Sequence, residues 1–215
     1  MRAKTVPRKP RKRKKQTARA KFLDNQTRPK YERILGVDAS TTGVAATLLV
    51  NGKPQTVVKL SLKSADIHER MVRVKKWFPK VLEHTKPDFV IIESPYLSIN
   101  AQTTMKLSFM VGIILGEVLI KKIPVTDVGP STWKKLLGYK MLTKAWQNQI
   151  IKELGATEGR KEIARLRKSQ IQDIMRERFP AWSWDDDDEA DSCGVALYGY
   201  QYYGKWQDKI KELIK

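Results

Sequence analysis

Three apolar runs in this chain each carry a carboxylate where a hydrophobic residue would be the cheaper choice. Asp38 ends the run Ile34-Leu35-Gly36-Val37-Asp38. Glu93 ends Phe89-Val90-Ile91-Ile92-Glu93. Asp188 and Asp191 stand just before Cys193-Gly194-Val195-Ala196-Leu197. An ionised carboxylate beside a buried run is costly unless a positive charge compensates it. One acid at a strand end is usually a turn former or a helix cap. Three such breaches in one chain call for a shared compensator, and a divalent metal held by oxygen ligands is the simplest one. Any fold for this chain must bring those three segments together.

The residue inventory narrows the metal. One cysteine, Cys193, excludes an internal disulfide framework and a cysteine-based zinc site. His68 and His84 are the only histidines, so a histidine-rich centre is excluded too. Oxygen ligands alone point to Mg²⁺ or Mn²⁺.

The charge is unevenly spread. The net charge is +19 over 215 residues, and residues 1–30 hold 13 Lys or Arg against one acid, Asp24. Such a block is expected to be a disordered basic arm that meets a polyanion. Nucleic acid is the expected partner, because each phosphate neutralised releases counterions. A nuclear or organelle address, or a solubilising tail, would use the same residues, Pro7 to Lys15. The N-terminus lacks the apolar block of a secretory signal. No apolar run is expected to reach the roughly 18–20 residues that span a bilayer, so no membrane partner is expected.

The folded domain is expected over 31–215. Ile34 to Val50 is rich in Val, Ile, Leu and Thr, and Asn51-Gly52 is a hairpin signal. That pattern predicts two antiparallel strands joined there, the second over Gln55–Leu62, with Asp38 on the first. Met71, Val74, Phe78 and Leu82 predict a helix over 65–84. Phe89 to Glu93 reads as a strand buried on both faces. Thr103 to Lys121 reads as an apolar helix on which Ser108, Gly112 and Gly116 make a smooth stripe. That stripe suits either a dimer interface or the domain's own sheet. Ile123 to Val128 predicts a strand, Pro130 opens a helix, residues 138–165 look like an insertion, and helices follow over 168–178 and 190–203. The result is an α/β fold with a mixed sheet.

The Ser40-Thr41-Thr42-Gly43 turn after Asp38 admits two readings. In one, Asp38 holds a metal that activates water against a phosphodiester; in the other, the turn cradles a nucleotide phosphate as in sugar kinases and actin-like ATPases. The second needs a repeated domain and further Gly-rich loops, and the chain is too short for them. Asp188 and Asp191 stand three apart, so on a helix they face one way, at an N-terminus whose dipole favours negative charge.

Together, Ile34 to Gly43, Val90 to Glu93, Val128-Gly129-Pro130-Ser131-Thr132-Trp133-Lys134-Lys135 and Asp188-Glu189-Ala190-Asp191-Ser192 resemble the RNase H-like nucleases. Within them the chain is similar to the RuvC-type Holliday-junction resolvases, the phage-type branch above all, over about residues 33–204. The resemblance implies an RNase H-like mixed sheet flanked by helices. It implies two Mg²⁺ (or Mn²⁺) ions per active site, with Asp38 bridging them, Glu93 and Asp188 completing one each, and Asp191 as a ligand or water-orienting base. It also implies that Tyr96 stacks on bases near the junction centre and that Lys168 contacts DNA, with Lys134 and Lys135 as rival phosphate contacts. The implied activity is a Mg-dependent crossover-junction endodeoxyribonuclease, working as a homodimer on branched DNA. Two other readings stay open: a less selective nuclease on branched DNA or RNA–DNA hybrids, and a non-catalytic nucleic-acid-binding protein. The expected place is intracellular, the cytoplasm of a bacterial or phage-infected host ahead of an organelle or a nucleus, and the sequence alone does not decide among them.

Overall fold

A computed structural model describes residues 30–63, 66–95 and 101–204. The basic arm of residues 1–29 and Tyr96 lie outside the described residues. The chain forms five strands and six helices among those residues: β1 (Arg33–Ala39), β2 (Gly43–Val50), β3 (Lys53–Ser61), α1 (Ile67–Thr85), β4 (Phe89–Glu93), α2 (Ala101–Ile120), β5 (Val125–Val128), α3 (Pro130–Leu136), α4 (Lys144–Leu154), α5 (Ala156–Arg178) and α6 (Asp187–Tyr203).

The sheet is mixed, in the order β3-β2-β1-β4-β5. β1, β2 and β3 are antiparallel neighbours, and β4 runs parallel to both β1 and β5. β1 and β4 are apolar along nearly their whole length because both of their faces are covered. One face carries α1 and α2, with Leu35, Val37, Phe78, Val90, Met110 and Ile114 in its core. The other carries α3, α5 and α6, with Ile34, Ile91, Trp133, Ile171, Met175 and Val195.

Two local expectations are corrected, and a third segment gains elements. The apolar stretch 34–50 is two strands, because Ser40 bends the chain: its backbone N–H donates to the Gly43 carbonyl at 2.8 Å, as does its hydroxyl at 3.1 Å. Asn51-Gly52, both at positive φ, therefore joins β2 to β3, one strand later than Asp38. Residues 138–165, expected as an insertion, are helical in large part. They supply α4 and the first half of α5, which runs unbroken through Lys168. Finally, α2 is long and apolar enough to cross a membrane by length and composition, against the expectation that no run would be.

That helix also decides where its small-residue stripe faces. Met110, Ile114, Glu117 and Val118 turn inward, where Glu117 is paired with Lys75 of α1. Ser108, Gly112 and Gly116 lie on the opposite side, and a Cβ added at Gly112 or Gly116 would meet nothing within 4 Å among the described residues. Met105, Phe109 and Leu119 are exposed around them. Packing on the domain's own sheet is thereby excluded.

Candidate active site

The register of the parallel pair places the first two acids. Val37 pairs with Ile92, so Asp38 and Glu93, one residue further along, reach the same C-terminal edge of β1 and β4. Helix α6 delivers the other two. It crosses β1 at Gly36, where a Cβ would lie 2.3 Å from the Ala196 nitrogen and 2.4 Å from the Ser192 carbonyl oxygen. Ser192 and Thr47 of β2, both buried, share a hydroxyl hydrogen bond of 2.6 Å. Asp186 caps the helix, its carboxylate accepting the Glu189 N–H at 3.1 Å. Asp188 and Asp191 then stand over the Asp38 edge, with the Asp188 carboxylate above Gly43.

The electrostatics follow from burial. The Asp38 carboxyl is held well above its usual range by desolvation, then by the negative charges of Glu93, Asp191 and Asp188, with Lys134 opposing. Glu93 is pushed up to about 7 by desolvation, while Lys134 and the Trp133 N–H bond pull the other way. Asp191 is raised by desolvation, with Lys134 again opposing. The fully buried Trp133 donates its indole N–H to Glu93 Oε2 at 2.7 Å, and Lys134 Nζ donates to Asp191 Oδ2 at 2.9 Å. Desolvation pulls the Lys134 ammonium down, but Asp191, Glu93 and Asp38 outweigh it and hold it charged above the ordinary lysine range.

A second ammonium serves the other flank. Lys59 of β3 pairs with Asp186 and, at 2.7 Å, with Asp188. Lys168 pairs with Asp187 at 2.7 Å on the rim. Lys135 is exposed one residue beyond Lys134. All four expected acids thus gather at one edge with Lys134, while Lys168 sits at its mouth. Lys59, Trp133, Asp186 and Asp187 were not assigned from sequence. Trp133 lies inside a recognisable motif, but Lys59 carries no local signal, since only the sheet order brings β3 under α6. No three carboxylate, cysteine or histidine side chains among the described residues stand in a metal-holding arrangement. The donors themselves fit a hard cation: oxygens only, partly desolvated and mutually repelling, with more negative charge than Lys134 offsets.

The sequence profile described as "Crossover junction endodeoxyribonuclease RuvC" matches residues 34–159, more than half of the chain. The chain belongs to the RuvC family. It is a family of metal-dependent nucleases. The Thermomicrobium roseum relative is 24% identical over 176 residues, covering 79% of this chain and 93% of its own. The Porphyromonas gingivalis relative is 25% identical over 114 residues, and the chain spans only 60% of that protein. A T. thermophilus RuvC solved in complex with a Holliday junction substrate superposes with a TM-score of 0.57 at 16% identity, over 79% of this chain and 94% of that one. At that identity the superposition shows the fold, which is RNase H-like.

The Glu93 shift has a measurable consequence. A folded-state value of about 7, raised from 4.5, means that the native protein holds the Glu93 proton more tightly than the unfolded chain does. This group's contribution to stability is complete below about pH 4.5 and is lost as pH rises through about 7. In EDTA, Glu93→Gln should melt a few degrees higher than the parent above pH 7 and at the same temperature near pH 4. Equal melting at both pH values would refute the buried, charge-crowded placement of Glu93.

Proposed function

We propose that this protein is a structure-selective DNA endonuclease that resolves four-way junctions. The observation that carries the proposal is the convergence of Asp38, Glu93, Asp188 and Asp191 at one sheet edge in a chain of the RuvC family. The relative bound to a Holliday junction supports the substrate class. We assign Asp38, Glu93, Asp188 and Asp191 as the residues that hold two Mg²⁺ ions. Bound there, such ions supply an activated water and neutralise the scissile phosphate for in-line displacement.

The remaining work belongs to the chain. Trp133 fixes the Glu93 carboxylate through its indole N–H. Lys134 favours the ionised form of Asp191 against the desolvation that opposes it, and fixes the carboxylate with a hydrogen bond of 2.9 Å. Lys59 orients Asp188 from the other side. Lys168 and Lys135 lie exposed where the backbone of an incoming strand would pass. Tyr96 follows Glu93 by three residues and is assigned to base stacking at the opened junction centre.

The outward face of α2 supports a homodimer. A stripe of Ser108, Gly112 and Gly116 framed by Met105, Phe109 and Leu119 lets two such helices approach closely and bury apolar surface. Two-fold symmetry presents two sites to opposing strands. A side chain at Gly112 meets no described residue of its own protomer, so at concentrations where the parent is monomeric Gly112→Leu should melt within about 2 °C of it. Sedimentation should show monomers, and the paired incision of opposite strands should become single nicks. A variant that still sediments as a dimer would move the interface elsewhere.

The test of function is incubation with four-way, three-way and linear DNA and with an RNA–DNA hybrid, in Mg²⁺ or EDTA. Symmetrical, Mg²⁺-dependent cuts confined to the four-way substrate are expected. Equal cutting of the hybrid would overturn junction resolution in favour of a general nuclease.

A further inference from the structure

The stripe of α5 that packs on α6 outruns its partner. Ile171 and Met175 of that stripe are buried in the core with Ala190 and Cys193 of α6. Stepping back along the same side of α5 by helical spacing gives Arg167, Ala164 and Arg160. By then α6 has ended, for Asp186 is its cap and Lys168 meets Asp187 on its first turn. Arg167, Ala164 and Arg160 are exposed, and they continue the line past the mouth of the carboxylate site. Arg160 lies eight residues beyond Lys168, about 12 Å along the axis.

The overhang is built to hold its shape. Helix α4 doubles back on α5, with Ile150 and Ile163 buried between them. Gly159 makes this fit possible, since a Cβ there would come within 2.7 Å of Ile151 Cα. Thr143 caps α4 by accepting the Trp146 N–H at 3.3 Å, and Gln147 accepts a hydrogen bond of 3.1 Å from the Arg167 guanidinium.

Its charge is sorted by face. Between Lys140 and Lys168 there are eight basic residues and three acidic ones. Lys161 and Arg165 are paired with Glu158 and Glu162 of their own helix, and Arg176 further along with Asp173. Arg160 and Arg167 sit instead on the side that continues the Ile171–Met175 stripe, and neither is paired with an acid of the helix.

We propose that the α4–α5 hairpin is a duplex-gripping arm: Arg160 and Arg167 bind backbone phosphates of the DNA arm that leaves the active site. This rests on the reading of the site as a DNA endonuclease. Two guanidiniums seven residues apart lie about 10 Å from each other along the helix, roughly the axial rise of three base pairs at 3.4 Å each, so each can meet a different phosphate of the backbone. A rigid basic ledge beside an acidic pocket solves a local problem, because the acids that hold a cation repel the rest of the backbone, which then needs its own anchor.

The test uses the full chain carrying Asp38→Asn, so that the substrate survives, and measures the affinity for a four-way junction by fluorescence anisotropy across a salt series. Arg160→Gln with Arg167→Gln should weaken binding about tenfold. It should also flatten the slope of log affinity against log salt by about 1.8, at 0.9 per lost phosphate contact. Arg165→Gln with Arg176→Gln removes the same charge from the other faces and should change affinity less than about twofold. Arg160→Lys with Arg167→Lys should restore most of the loss, which separates a contact from a folding defect. Equal losses in the two Gln pairs, or none in either, would overturn the gripping arm. A parent that binds no branched DNA would instead sink the endonuclease reading beneath it.

Discussion

Asp38→Asn should abolish cleavage and leave a protein that is more stable and binds junction DNA at least as well. The three outcomes have one cause. The Asp38 carboxylate sits near Glu93, Asp188 and Asp191 in a desolvated pocket, so its charge is a burden on the native state that Lys134 relieves only in part. An amide keeps the shape and removes the charge. Several kcal/mol of transition-state stabilisation by a bound ion, at about 1.4 kcal/mol per tenfold, corresponds to a loss of at least about a thousandfold in rate. Without Mg²⁺, removing one negative charge from a site facing phosphate should tighten binding slightly. The metal-free variant should melt a few degrees above the parent at pH 8. Retained Mg²⁺-dependent cutting would refute the assigned centre outright, and a lower melting temperature would refute the charge-crowding account of it.

Gly36→Ala should be the most damaging single methyl in the molecule. The added carbon would come within 2.3 Å of the Ala196 nitrogen and 2.4 Å of the Ser192 carbonyl, both backbone atoms of α6. Neither can swing aside as a side chain would, so the whole helix must lift off β1. Overpacking of that kind costs about 3 kcal/mol, or about 6–12 °C in a domain of this size. Because α6 carries Asp188 and Asp191, the same displacement should weaken Mg²⁺ binding by calorimetry even at temperatures where the variant stays folded. A variant that melts like the parent would show that α6 does not seat at Gly36.

The site was more legible in the sequence than the fold around it. Asp38, Glu93, Asp188 and Asp191 stood out because each breaks an apolar run, and a break of that kind needs no neighbour to be noticed. The strands were harder. Ile34 to Val50 is apolar throughout, since β1 and β2 are both buried, and only the bend at Ser40 divides them. α4 and the front of α5 were missed as elements because few of their residues are buried: Ile150, Gly159 and Ile163 carry the packing between two otherwise polar helices. Lys59 could not be foreseen at all. Its partners Asp186 and Asp188 lie more than 120 residues away, and their meeting depends on β3 lying at the sheet edge below α6.

The two ammonium groups lodged among the acids bear on when the nuclease becomes dangerous. Lys59 and Lys134 already bridge α6 to β3 and α3, so the carboxylates are held in place by charges that belong to the chain itself. Folding therefore does not have to wait for an ion. An incoming cation would have to displace two lysine side chains from Asp188 and Asp191 before cleavage could begin.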